Sequence, residues 1–183
     1  SLAAVFERLN VQKRGLLDGF NLDRVFRNTQ VKKTVSKSGI RVSGVESMMI
    51  SLAGCCAPVP GDDIVGFITK GQGVKVHRKD CINIKNETKR LINVEWDEER
   101  KEGKYEVKLY ILAQDRSFLI SDLVTIISQC KAGLVAVNST VNEDKVTATT
   151  YMNVVVSDAE HLKVVMANLK KIENVFEVHR AQN

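Results

Sequence analysis

Residues 54–81 read GCCAPVPGDDIVGFITKGQGVKVHRKDC, and three of the chain's four cysteines fall inside them, with one of its three histidines. PVPGDD, from Pro58 to Asp63, cannot continue a helix and forces a turn. IVGFIT is β-branched and aromatic enough for a strand, KGQG is a turn, and VKVH is a second strand. Upstream, IRV (40–42) reads as a short strand. Val45, Met48, Met49 and Leu52 then fall at i, i+3, i+4 and i+7, which predicts one helical face ending near Gly54. A helix and a hairpin bury little area, so such a module is marginal unless it is stapled or leans on a neighbour.

The staple is the question the cysteines raise. Cys55 and Cys56 end the expected helix, and His77 and Cys81 lie past the hairpin, separated by three residues. Folding the hairpin back brings the two pairs together, and three sulfurs with one imidazole make a tetrahedral zinc set. Adjacent cysteines reach one ion less easily than a C-x-x-C knuckle does. The alternative is a set of buried thiols packed as small hydrophobes.

On the N-terminal side, Val5, Leu9, Leu16, Leu17, Leu22, Val25 and Phe26 recur at loosely helical intervals interrupted by Gly15 and Gly19, which predicts two short helices. VKKTVSKSG (31–39) reads as a basic linker, so residues 1–38 form a connector, and the cysteine module spans 39–90. The chain starts Ser-Leu-Ala-Ala-Val-Phe without an initiator methionine, as expected of a piece cut from a longer protein.

On the C-terminal side, 104–183 form a third part. YEVKLYILA alternates, with Val107, Leu109 and Ile111 on one face. SFLISDLVTIISQCKA carries Leu119, Leu123, Ile126, Ile127 and Cys130 at helical spacing, with Cys130 read as core. LVAVNSTV and VTATTYMNVVV flank the hairpin loop NEDK. Ser157 to Glu160 has the pattern of a capping box before a stripe of Leu162, Val165, Met166 and Leu169, and VFEVHR closes as a last strand. The fold class is thus α+β: a small helix-plus-hairpin cysteine module followed by a ferredoxin-like βαββαβ domain. Tyr110 and Tyr151 should point away from its helices, where RNA-recognition modules stack bases. The third strand lacks the glycines and paired aromatics of that signature, so two half-exposed tyrosines are the simpler reading.

Composition sets outer limits. The 183 residues carry a formal net charge of +5, with 44% hydrophobic residues and 27% charged ones. That is an ordinary globular balance with a mild basic bias, which permits nucleic acid without demanding it. No apolar run is long enough to cross a bilayer and no signal peptide is visible, so a cytoplasmic protein with reduced thiols or metal ligands is expected.

The double cysteine, P-x-P-G-D, I-V-G-F-I-T, G-x-G, V-x-V-H-R and D-C from Cys55 to Cys81 closely resemble the cysteine-bearing module of long RelA/SpoT-type proteins, the bacterial (p)ppGpp synthetases and hydrolases. In that family it is called a zinc-finger or ribosome-intersubunit module, and the resemblance implies contact with ribosomal RNA. Lys70, Lys75, Arg78, Lys79 and Asp80, around the hairpin, would carry that contact as phosphate-positioning residues and their neighbour. A solvated basic face is the alternative. The same resemblance makes 104–183 an ACT domain and implies a homodimer through its sheet. It also implies a ribosome with tRNA as partner and regulation of a catalytic half elsewhere in the parent chain. The competing reading is a dimerising, ligand-sensing module that transmits inhibition to that half.

Two departures matter. Family members usually read D-R-x-G-L between the first ACT strand and helix, whereas this chain has Asp115, Arg116, Ser117, Phe118 and Leu119. With Ser117 as helix cap, the Phe118 ring is expected to fold onto the helix or plug the pocket at the dimer interface. No amino-acid ligand is therefore expected. The family's hydrolase uses a His-Asp metal motif, and none of His77, His161 and His179 is followed by aspartate. No P-loop, nucleophile elbow or H-E-x-x-H occurs either, so a non-catalytic fragment is expected.

Overall fold

The computed structural model describes residues 34–35, 39–42, 48–97 and 103–182. The helices expected before Gln30 and the apolar position Val45 lie outside the described residues. Lys33–Asn183 form one compact unit, in which a cysteine-bearing module precedes a C-terminal domain.

The module consists of strands. β1 (Thr34–Val35), β2 (Ile40–Val42) and β7 (Val94–Trp96) make a three-stranded sheet in the order β1-β2-β7. β3 (Ile50–Leu52), β4 (Ile64–Thr69), β5 (Gly73–Arg78) and β6 (Leu91–Ile92) make a second sheet in the order β3-β5-β4-β6. Ile40, Val42, Ile64, Val74, Val76 and Val94 are buried together between them. Two expectations change here. Thr34–Val35, within the stretch read as linker, pairs antiparallel with β2. The end of the expected helix is a strand: Ile50, Ser51 and Leu52 run parallel to Val74, Lys75 and Val76. Met48 and Met49 stand exposed rather than on a buried helical face. The cause is non-local, since Met49 O accepts from Val74 N at 2.8 Å and Ala53 N donates to Val76 O at 2.8 Å. Extending the β5 ladder satisfies backbone groups that an eight-residue helix would leave open at its ends.

The IVGFIT and VKVH strands form the expected hairpin, paired from Ile64↔Arg78 to Thr69↔Gly73. Its glycines have distinct roles. Gly73 takes a φ of 82° against Met49 O, where a Cβ would collide with backbone. A Cβ on Gly66 would meet Val74, Ile92 and Val94 at 2.8 Å, so the core closes only because the position is bare.

The C-terminal domain has the ferredoxin-like order: β8 (Tyr105–Gln114), α1 (Leu119–Gln129), β9 (Gly133–Val141), β10 (Thr147–Val156), α2 (Ala159–Leu169) and β11 (Val175–Arg180). The antiparallel sheet runs β11-β8-β10-β9. Val107, Leu109 and Ile111 turn one face of β8 to Leu123 and Ile127 of α1 and Leu162, Val165 and Leu169 of α2. Cys130 packs half-buried against this core. The capping residue of α2 is Asp158 rather than Ser157: its Oδ1 accepts from His161 N at 2.8 Å, while Ser157 donates to Asp158 Oδ2. Tyr110 and Tyr151 are cross-strand partners on the face away from the helices, as their register predicts. Their rings meet edge-on at 5.6 Å, His179 stacks on Tyr110 at 4.4 Å, and Lys108 Nζ lies 4.8 Å over the Tyr151 ring. No helix among the described residues is long and apolar enough to cross a membrane.

Module and domain meet through PVPGDD. Val59, fully buried, belongs to the C-terminal domain's core, and Ala159 N donates to Pro60 O at 2.8 Å. The turn expected there is also a wedge.

Candidate metal centre and basic hairpin

The four candidate ligands converge. One ligand atom from each of Cys55, Cys56, His77 and Cys81 lies within 4.8 Å of every other, and all but Cys55 are buried. Two elements supply them. β3 ends at Leu52, and a single turn closed by Ala57 N on Ala53 O at 3.0 Å carries Cys55 and Cys56. Ala57 takes a φ of 42°, which swings the chain out to Pro58 directly after the pair. β5 presents His77 across from Val65, and Cys81 follows a turn in which Cys81 N donates to Arg78 O at 3.1 Å. A turn, rather than a knuckle with spacer residues, lets adjacent cysteines face the same point.

The distances fit an ion. Cys55 Sγ lies 3.4 Å from His77 Nδ1 and 3.6 Å from Cys81 Sγ, and Cys56 Sγ lies 3.8 Å from His77 Nδ1. Two thiolates at tetrahedral positions about 2.3 Å from a metal are about 3.8 Å apart. Burial pushes the Cys56 thiol up to about 12, with Cys55 and Cys81 adding to it against the Arg78 N–H that bonds its sulfur. A buried thiol so reluctant to ionise alone is one a cation would stabilise as thiolate. Burial, then the charge of Lys75, holds the His77 imidazole below its ordinary value, and so in the neutral form a metal ligand requires. The set can hold a metal ion.

The hairpin cations do not form one patch. Lys70 is exposed at the tip and Lys75 along β5, whereas Lys79 and Asp80 lie at the base. Five residue steps of β5 separate tip from base by about 17 Å. Arg78 pairs with Asp80, and Lys79 lines a cleft of about 890 Å³ with Asp62, Asp63, Asp158 and Glu160. The tip instead neighbours cations that the sequence reading did not single out. Arg90 O accepts from Ile68 N at 2.9 Å, which brings exposed Lys89 and Arg90 beside the end of β4. The Lys89-Arg90 pair was the signal, but the return of its loop to the hairpin was not visible in the sequence.

The turn after β8 also departs from expectation. Asp115 N donates to Val146 O at 2.8 Å, Arg116 pairs with Asp122 at 2.6 Å, and Leu119 is buried. Ser117 is not the cap: Phe118 holds that position with φ 66° and no side-chain cap bond. Its ring does not fold onto α1, because the residue is 79% exposed. A left-handed backbone that glycine suits is here adopted by phenylalanine, and the chain turns the ring out to solvent.

Residues 40–97 match the RelA/SpoT RIS domain model, and residues 101–180 match an ACT domain model. The chain carries the RIS and ACT domains of the RelA/SpoT family. A GTP pyrophosphokinase of Streptomyces coelicolor is 37% identical over 145 residues, covering 78% of this chain and 17% of that protein. One from Haemophilus influenzae is 32% identical over 157 residues, covering 84% of this chain and 21% of that protein. The chain therefore spans about a fifth of the length of these relatives. Among solved structures, the ACT domain from a GTP pyrophosphokinase of Chlorobium tepidum overlays with a TM-score of 0.38 at 19% identity, covering 43% of this chain and 99% of that one.

Beyond the expected site residues, the structure singles out Asp62 and Arg180. Arg180, at the end of the ACT sheet, donates to both carboxylate oxygens of Asp62 in the RIS domain at 2.9 Å. Asp62 O also accepts from Trp96 Nε1 at 3.0 Å. An arginine closing VFEVHR gave no hint of a partner 118 residues earlier.

Proposed function

We propose that this chain is the regulatory, non-catalytic C-terminal part of a bacterial (p)ppGpp synthetase/hydrolase. Its RIS centre holds zinc, and its hairpin docks the parent enzyme on ribosomal RNA. The observation that carries this reading is the polarity of the hairpin. Its base is fixed beside the cysteine centre and the ACT domain, while its other end offers exposed Lys70, Lys75, Lys89 and Arg90 to solvent. Cations on a rigid, anchored hairpin can position phosphates without ordering a loop on binding. The setting is the cytoplasm, on a ribosome holding tRNA, with the catalytic half of the parent chain as the regulated partner.

Ribosome co-sedimentation at several salt concentrations tests the reading. Four phosphate contacts make affinity fall roughly 100-fold between 50 and 200 mM salt. Joint reversal of Lys70, Lys75, Lys89 and Arg90 to glutamate should remove both the binding and its salt slope. Unchanged affinity in that variant would place the contact elsewhere.

A second reading rests on β9. It is an edge strand exposed along nearly its whole length, with Val135 57% and Val141 49% exposed. A second copy pairing edge to edge would satisfy its free backbone groups and cover these valines. Sedimentation of Val135→Lys as monomer, against a dimeric unmodified chain, is the expected result. Identical mass for both would reject the β9 interface.

A further inference from the structure

Besides the Pro60 and Val59 contacts, the RIS and ACT domains meet at a polar node placed directly behind the cysteine pair. Arg180 Nη1 donates to both oxygens of Asp62, and Nη2 donates to Ala57 O at 2.5 Å and to Cys56 O at 3.4 Å. The guanidinium thus grips the backbone of Cys56 itself and of the left-handed residue that follows it. Asp62 is fixed in turn, because its Oδ2 accepts from Val59 N at 2.9 Å. The arginine and aspartate side chains are only 12% and 14% exposed. Arg180 Nε is buried without a partner among the described residues, so the bonds on the two terminal nitrogens hold the group in place. On the ACT side, Arg180 and core residue Val178 share one face of β11, and His179 between them stacks on Tyr110 across the sheet.

We propose that Arg180 is a positioning residue that couples metal occupancy of the Cys55, Cys56, His77 and Cys81 centre to the order of the ACT domain's last strand. This rests on the metal reading given above. A metal fixes the orientation of Cys55 and Cys56, and with it the carbonyls of Cys56 and Ala57. Those carbonyls are what Arg180 reads. With the centre empty, the turn keeps its Ala57 N to Ala53 O bond but loses the metal's hold on both cysteines, and the carbonyls are less firmly placed against the guanidinium. Linkage makes the coupling reciprocal: whatever factor metal contributes to docking of β11, docking contributes to metal affinity. A clamp that served docking alone would leave metal affinity untouched.

The test uses the full 183-residue chain, stripped of metal and reloaded with zinc, alongside Arg180→Met, Arg180→Lys and Asp62→Asn. Zinc affinity is read by competition with a chromophoric chelator, and the order of 175–180 by amide hydrogen exchange. Zinc should slow exchange of 175–180 in the unmodified chain by about 5- to 150-fold, the usual span of coupling between sites. Arg180→Met should abolish that response and weaken zinc by the same factor, with Arg180→Lys recovering part of both. If zinc binds but leaves 175–180 unaffected, or binds equally tightly to Arg180→Met, the coupling is overturned and the metal reading stands. If no form binds zinc, both are overturned. Should Arg180→Met lose protection across the whole ACT core, Asp62→Asn decides by the same two criteria.

Discussion

The RIS and ACT domains solve the same problem with different means. The ACT domain buries two helices and a four-stranded sheet around its own apolar residues, from Val107 to Val178, and among the described residues accepts only Val59 from outside. The RIS domain divides its apolar residues between one cluster of six buried aliphatics and a second of only Ala53, Cys56, Cys81 and Ile84. Half of that second cluster is sulfur that also faces the candidate metal centre. The ACT domain rests on one large area removed from water; the RIS domain has two smaller clusters and, in the reading proposed above, the bonds of a metal. The two should therefore fail under different insults.

Removing the proposed metal should give the largest separation. Structural zinc contributes on the order of 10 kcal/mol to folding of small metal-dependent modules. Chelation, or Cys81→Ser, should unfold 48–97 while 105–180 keeps its amide protection, apart from β11. Intact protection of the RIS strands in metal-free protein, measured by hydrogen exchange, would mean that packing alone suffices. Leu109→Ala is the converse. Fully buried in the ACT core, it should cost about 2–5 kcal/mol in chemical denaturation of the ACT domain. Zinc content by elemental analysis should stay near that of the unmodified chain. Loss of metal in this variant would erase the distinction between the domains. The smallest effect, with the opposite sign, belongs to Phe118→Gly. The exposed ring has no packing to lose, and glycine relieves a left-handed φ, so a gain of about 0.5–1 kcal/mol is expected. A loss of stability in the same denaturation experiment would show that the ring is covered in solution.

What the sequence revealed follows the same division. The ACT strands and helices are legible because each carries its own period: Val107, Leu109 and Ile111 alternate, and Leu119, Leu123 and Ile127 repeat by fours. Local pattern and global packing agree there. In the RIS domain they compete. Val45, Met48, Met49 and Leu52 spell a helical face, yet β5 captures Ile50–Leu52 through bonds to residues more than 20 positions away. The hairpin is readable from KGQG between β-branched runs, and Cys55, Cys56, His77 and Cys81 from residue type. Convergence of adjacent cysteines needed the turn at Ala57, whose positive φ has no glycine to announce it. PVPGDD is legible as a turn but not as a wedge. Phe118 shows the remaining blind spot: a ring expected to fold onto the helix is instead turned outward by a backbone φ of 66°.

The wedge has a consequence for how the chain is made. Val59 and Asp62 leave the ribosome with the RIS domain, but the surfaces they fit, the ACT core and Arg180, are synthesised later. The RIS sheets are complete at Trp96, and a further 84 residues must follow before Arg180 exists. At 5–20 residues per second this is an interval of roughly 4–17 s. During it the RIS domain displays a carboxylate without its arginine and an apolar valine held between two prolines, with no ACT surface to dock on. A nascent chain that stalls before Val175 keeps that loop uncovered indefinitely, and so carries on its surface a record of where its own translation stopped.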